Sequence, residues 1–243
     1  DHYLGLQGLL STMQLLGRTK PVHIYAHSDL QELTAIQLRI SKSFLRFEIH
    51  WHPLTYSGKE KIADLERIEV YSFPLDHRIP TCGFKMSEKP RLRNIRPECI
   101  TRYNIPVPRI RQIKAGDDYT AEDGTVIPNS ELTIDPHPPR SYAYCSDPAC
   151  SPATATYVKA VDLLYHESTF LSDRADRASK THHSTAADAA RVALEARAGK
   201  LLMGHYSARY KETSAFEAEA QTVFSEATAA YEGLTIPIGP VQK

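Results

Sequence analysis

Hydrophobic and polar positions along the chain switch repeatedly between a helical period and a two-residue period. Gly5–Leu16 carries apolar side chains at helical spacing and ends near Gly17, and Ser28 stands where a cap would open a helix reaching about Ser43. Val22–Tyr25 reads as a short strand, Phe47–Leu54 and Ile68–Phe73 alternate like strands, and Cys82–Met86 reads as another. Asp123-Gly124, between short apolar segments within Asp117–Thr133, predicts a hairpin. Ser141–Cys145 and Val161–Tyr165 read as buried strands. An alanine-rich helix is expected from Ser184 to about Ala198. Beyond it, Leu201–Gly204 reads as a strand, Ser214–Ala227 as a helix and Leu234–Ile238 as a last strand. This alternation predicts an α/β core of layered sheets and helices.

Composition narrows the picture. Of the 243 residues, 42% are hydrophobic and 24% charged, which excludes a disordered, collagenous or disulfide-scaffold chain and suits one large α/β domain. No apolar run reaches the roughly 18 residues a membrane span needs, so a soluble protein with no membrane partner is expected, and no signal-peptide pattern is read at the start. Cys82, Cys99, Cys145 and Cys150 form no Cys-x-x-Cys pair, which argues against a thiolate zinc knuckle and predicts a reducing, cytoplasmic setting. The formal net charge is zero, yet Lys85–Lys114 holds nine basic residues against two acidic ones. Pro90, Pro97, Pro106 and Pro108 oppose long regular structure there. A basic, proline-broken insertion suits a surface that meets phosphates, although a solvated loop would show the same charge.

Candidate chemistry sits at the ends of the short apolar segments. His77, Asp147, His166-Glu167 and His205 each follow or close an expected strand, and Asp1-His2 precedes the first helix. Strand ends in α/β folds line up along one edge, where ligands commonly bind. Imidazoles and carboxylates converging there offer nitrogen and oxygen donors that suit zinc, and that manganese or iron would also accept. His50 and His52 flank Trp51 on a strand and read as an exposed face. His23 and His27 read as structural, and Cys145 as a packed thiol.

These residues carry a resemblance. Asp1-His2-Tyr3-Leu4-Gly5-Leu6 looks like the tail of the His-x-His-x-Asp-His motif of metallo-β-lactamase-fold hydrolases. The blocks Tyr142-Ala143-Tyr144-Cys145-Ser146-Asp147, His166-Glu167-Ser168-Thr169-Phe170, His183-Ser184-Thr185 and His205-Tyr206-Ser207-Ala208-Arg209-Tyr210, in this order, are similar to ribonuclease Z, the tRNA 3′-processing endonuclease. The resemblance covers essentially the whole chain. It implies an αββα metallo-β-lactamase sandwich spanning 1–243, a homodimer, precursor tRNA as substrate and two zinc ions per subunit. The N-terminal part of the fold, with two further histidines, is expected upstream of Asp1. Asp1, His2 and His205 would bind one zinc, His77 the other, and Asp147 would bridge them. Asp1 would act as general base, while Glu167 and His183 would protonate the leaving oxygen, with Ser184 and Ser207 as outer partners. The insertion, about 86–138, would be the tRNA-gripping arm, with Arg91, Arg93, Arg96, Arg109, Arg111 and Lys114 on phosphates and Arg209 near the cut. Pro106-Val107-Pro108 departs from the Gly-Pro element of such arms. Rival readings are another phosphodiesterase or arylsulfatase-like hydrolase of the same fold, and a subunit that binds tRNA without cutting it.

Overall fold

The computed structural model describes residues 2–239. Helices α1 (Gly5–Leu15) and α2 (Asp29–Ile40) flank strand β1 (Val22–Ala26), which pairs in parallel with β2 (Ile49–Pro53). Strands β3 (Glu60–Asp64), β4 (Ile68–Leu75) and β5 (Thr81–Glu88) form an antiparallel meander. The next segment contains β6 (Asn94–Ile95), α3 (Pro97–Arg102), α4 (Val107–Ala115), β7 (Tyr119–Thr120), β8 (Val126–Ile127), α5 (Asn129–Leu132) and β9 (Thr133–Ile134). The chain then returns through β10 (Ser141–Cys145), α6 (Pro152–Tyr157), β11 (Leu163–Glu167), α7 (Ala175–Thr181), α8 (Ala186–Ala196), β12 (Lys200–Gly204), α9 (Ser214–Gln221) and β13 (Ala227–Ala229).

Seven strands build the main sheet in the order β13-β12-β11-β10-β5-β4-β3. From β13 to β10 the pairings are parallel, and β10·β5, β5·β4 and β4·β3 are antiparallel. Two reversals between β10 and β4 make those strands run the same way. The C-terminal ends of β4, β10, β11 and β12 therefore fall on one edge, and this edge carries His77, Asp147, Glu167 and His205.

One sheet face is covered by α8, whose Ala186, Ala189, Ala190, Val192, Ala193 and Ala196 are buried. Small side chains let this helix approach β11 and β12 closely, and α6 and α9 pack beside it. Phe73, Leu164, Leu201, Met203 and Phe216 complete this core. Across the open edge, β1 and α2 face the main sheet over a pocket of about 810 Å³ lined by Ala26, Leu30, Leu33, Phe84, Tyr144 and Asp147.

Several sequence expectations shift. The alanine-rich helix starts at Ala186, two residues later than expected: Thr185 caps it, accepting from the Asp188 N–H at 3.1 Å while the Asp188 carboxylate accepts from the Thr185 N–H at 3.0 Å. The helix after Ser214 stops at Gln221. Ala227, read as its end, instead opens the strand β13 (Ala227–Ala229), because pairing with β12 outweighs the helix preference of alanine. Leu234–Ile238 forms no strand. β3 escaped the sequence reading because it is an edge strand rich in charge. The Asp123-Gly124 turn joins β7 to β8 as expected, with Gly124 at φ +84°. The proline-broken insertion is not a bare loop. Pro97 and Pro108 each lie in the first turn of a short helix, where a missing N–H costs nothing.

Candidate metal centre

Asp147 lies just past β10 and is the hub of the edge. Its Oδ2 faces His77 Nε2 at 3.2 Å and His2 Nε2 at 3.6 Å. Its Oδ1 faces His183 Nδ1 at 3.2 Å and His205 Nε2 at 3.8 Å. One carboxylate is thus ringed by four imidazoles from four separated chain segments. Asp147 and His205 both adopt left-handed backbone conformations, φ +69° and +61°. Such residues persist only where surrounding structure holds them, and here the turn at each strand end aims the side chain across the edge. Gly204, immediately before His205, lies so close to the Tyr165 ring that a Cβ there would clash with it.

Anchoring of the rings decides which nitrogen each presents. His77 Nδ1 lies 3.2 Å from the His182 carbonyl, an acceptor only, so Nδ1 carries the proton and Nε2 offers its lone pair toward Asp147. His205 Nδ1 is held by the Thr169 hydroxyl at 2.9 Å, and its Nε2 likewise turns to Asp147. His2, Asp147 and His205 have donor atoms all within 4.8 Å of one another, and so do Glu167, His183 and His205. The first set, with His77 alongside, fits a divalent ion such as zinc: imidazole nitrogens around a shared carboxylate, with the outer ring nitrogens of His77 and His205 tied down.

Glu167 is fully buried, and its oxygens are already engaged within the protein. Oε1 accepts from the Ser184 N–H at 2.6 Å and faces His183 Nδ1 at 3.3 Å. Oε2 accepts from the Thr169 N–H at 2.8 Å and from the Thr169 hydroxyl. Burial by itself would raise the Glu167 pKa, but the His183 and His205 imidazoles and the Thr169 hydroxyl outweigh it and hold it at about 2. His205 is pushed the other way: the Glu167 carboxylate, 3.6 Å from its Nδ1, favours the protonated ring against the effect of burial. A carboxylate so saturated positions imidazoles rather than serving as an open ligand.

Of the sequence-predicted residues, the structure brings together His2, His77, Asp147, Glu167, His183 and His205; Asp1 lies outside the described residues. The outer-partner role expected of Ser184 is filled by its backbone N–H, since its hydroxyl donates to the Pro148 carbonyl at 2.8 Å. Ser207 instead faces Arg209, whose Nη1 is 3.4 Å from its hydroxyl. His166 is packed in the core with Nδ1 2.8 Å from the Glu167 carbonyl. Burial pushes the Cys145 thiol pKa up, as a packed thiol requires. His23, His50 and His52 share a face of the β1·β2 pair, with His23 Nδ1 2.9 Å from His52 Nε2. The sequence reading missed Thr169. The signal was there: a hydroxyl two residues after Glu167 in the same motif block.

No family model matches this chain. It is 44% identical over 234 residues to a ribonuclease Z of Cytophaga hutchinsonii, covering 96% of this chain and 74% of that protein. It is 40% identical over 238 residues to a ribonuclease Z of Porphyromonas gingivalis, covering 98% and 78%. The chain belongs to the ribonuclease Z family.

The fold agrees with that membership. The short form of human tRNase Z superposes with a TM-score of 0.65 at 23% identity, covering 98% of this chain and 75% of that one. The metallo-β-lactamase fold protein YhfI of Bacillus subtilis gives 0.60 at 17%, covering 96% and 72%. This ribonuclease Z chain therefore has the metallo-β-lactamase fold, a mixed α/β architecture with the central sheet described above.

Proposed function

We infer that this ribonuclease Z family member is a metal-dependent endoribonuclease that removes the 3′ trailer from precursor tRNA, leaving a tRNA 3′-OH and a trailer with a 5′-phosphate. The observation that carries the reading is the Asp147 hub with four imidazoles beside a buried Glu167–His183 pair, in a chain so similar to ribonucleases Z. His2, His77, Asp147 and His205 would hold two zinc ions, together with Asp1. Bound there, the ions would supply Lewis acidity and lower the pKa of the attacking water.

The chain's own groups do the rest. Asp1 is the assigned base for the proton of the attacking water. Asp147 Oδ1, Glu167 Oε1 and the Thr169 oxygen surround His183 Nδ1, all acceptors, so that nitrogen keeps its proton. With Nδ1 turned inward in this way, Nε2 is the ring nitrogen left to donate a proton to the departing 3′ oxygen as the phosphorus–oxygen bond breaks. In the test, the protein is incubated with a 3′-extended tRNA with and without chelator. Cleavage after the discriminator base, lost with chelator and restored by zinc, is the expected outcome; no metal-dependent cut there sinks the reading.

The segment between Glu88 and Arg140 is assigned as the tRNA-gripping arm. It has its own small core of Cys99, Ile105, Ile113, Tyr119, Ile127 and Leu132. Arg96, Arg109, Arg111 and Lys114 lie on or beside two of its three short helices, α3 and α4, as phosphate contacts. Arg91 pairs with Glu88 at 3.1 Å and Arg93 with Asp135, so these two serve the arm's own fold as well. Arg209, beside the metal edge, is assigned to a phosphate near the cut. A homodimer is supported by exposed apolar side chains on and beside α1 and α2: Leu9, Leu15, Leu16, Ile40 and Phe44. The four free cysteines support a reducing, cytoplasmic setting. No helix among the described residues is long and apolar enough to cross a membrane.

A further inference from the structure

Thr169 occupies a position that a space-filling residue would not need. It is buried, 7% exposed, and its hydroxyl oxygen touches four polar atoms. These are Glu167 Oε2, the His205 backbone carbonyl at 3.1 Å, His205 Nδ1 at 2.9 Å and His183 Nδ1 at 3.3 Å. Two belong to the adjacent imidazoles that face Asp147 Oδ1, one a metal-ligand candidate and the other the proton-donor candidate.

Proton accounting fixes the roles. A threonine hydroxyl has one proton to donate and two lone pairs that accept. The ionised Glu167 oxygen is the strongest acceptor in reach, so the hydroxyl proton points there. The lone pairs that remain face His205 Nδ1 and His183 Nδ1, and a lone pair is satisfied only by an N–H. In the neutral ring, the form that can bind a metal, His205 must then carry its proton on Nδ1, which leaves Nε2 unprotonated toward Asp147, 3.8 Å away. Glu167 does not substitute for this contact: His205 Nδ1 is 3.6 Å from Oε2, beyond a good hydrogen bond, against 2.9 Å to the hydroxyl.

We propose that Thr169 is a positioning residue for the metal centre: its hydroxyl relays the Glu167 charge to His205, fixing the Nδ1–H tautomer that turns Nε2 into a ligand. This rests on the functional reading above. The methyl group and backbone of Thr169 could be kept by valine without the relay, whereas serine keeps the relay without the methyl group.

The experiment compares wild type, Thr169→Val, Thr169→Ser and Thr169→Ala. Zinc affinity is measured by chelator competition, and the His205 tautomer in the zinc-free protein by two-bond proton–nitrogen correlation. Thr169→Val is expected to weaken zinc binding about 10- to 100-fold and to mix the two tautomers. Thr169→Ser should stay within roughly threefold of wild type, as loss of an outer-partner hydroxyl and not of volume is the cause. Thr169→Ala gives the same reading as valine if the branched side chain prevents folding. Valine or alanine variants that bind zinc like wild type with an unchanged tautomer would overturn the proposal. So would a serine variant as weak as valine. If wild type itself binds no zinc and cuts no precursor tRNA, the functional reading falls first.

Discussion

In the metal edge, His77, Asp147, Glu167 and His205 are set by strand ends of a seven-stranded sheet, and Glu167 accepts from two backbone N–H groups and a buried hydroxyl. Between Glu88 and Arg140 the chain is built differently. Its strands are two residues long, its helices have four to nine residues, and its core is six buried side chains. Ion pairs such as Arg93–Asp135 and Glu88–Arg140 supplement that core. The contrast suits the two assigned tasks. Metal ligands and proton donors lose their function with misplacements of an ångström, so they sit on a rigid edge. Phosphates are gripped through longer-range charge, which tolerates a lightly built carrier.

The sharpest way to break this comparison is at the hub. Asp147→Asn should reduce precursor-tRNA cleavage on the order of 10³-fold or more, because the charge that would bridge two ions is gone. Zinc content and thermal melting of the zinc-free protein check that the loss is metal, not fold. His183→Gln comes next, with kcat lowered about 10²- to 10⁴-fold and KM little changed, as removal of a proton donor requires. Steady-state kinetics that show KM rising instead would assign His183 to substrate binding.

The arm offers the opposite signature. Residues 90–138 are to be replaced by a short linker. The Glu88 N–H already donates to the Arg140 carbonyl at 2.8 Å, so the ends are adjacent. This variant should bind tRNA far more weakly yet still hydrolyse a small phosphodiester. If both activities fall together, the arm assignment is wrong. Smaller still, Arg109→Ala or Arg111→Ala should weaken tRNA binding across sequences and lower the salt slope by about one unit each.

The smallest effect concerns the base of the arm. Hydrogen bonds from the Arg140 guanidinium, then from its backbone N–H, hold the Glu88 pKa at about 2, well below its usual value of 4.5. A depressed carboxyl pKa stabilises the fold above pH 4.5, and that contribution is lost as the pH falls from 4.5 toward 2. The pair is near the surface, so Glu88→Gln should cost at most about 1 kcal/mol at neutral pH. Thermal melting from pH 7 to pH 2 should show a shallower acid slope in the variant.

Much of this was legible beforehand. Apolar runs ending in His, Asp or Glu placed His77, Asp147, Glu167 and His205 at strand ends, and motif order pointed to the family. Residues 119–127 announced their hairpin through Asp123-Gly124. Boundaries were less legible. Alanines at 227 and 229 favour helix locally, and only pairing with β12 makes them strand. Residues 86–88, read at the start of the basic insertion, continue strand β5 of the main sheet, because they pair with β4 and, at Met86 and Ser87, with β10.

Residue types and their order fixed the chemistry on offer here, because imidazoles and carboxylates keep their donor character wherever the chain places them. Which nitrogen of each ring faces Asp147, and that Thr169 stands between Glu167 and His205, came only from tertiary structure. Tautomers and hydrogen-bond partners depend on atoms brought within about 3 Å from segments distant in sequence, and no local pattern encodes that meeting.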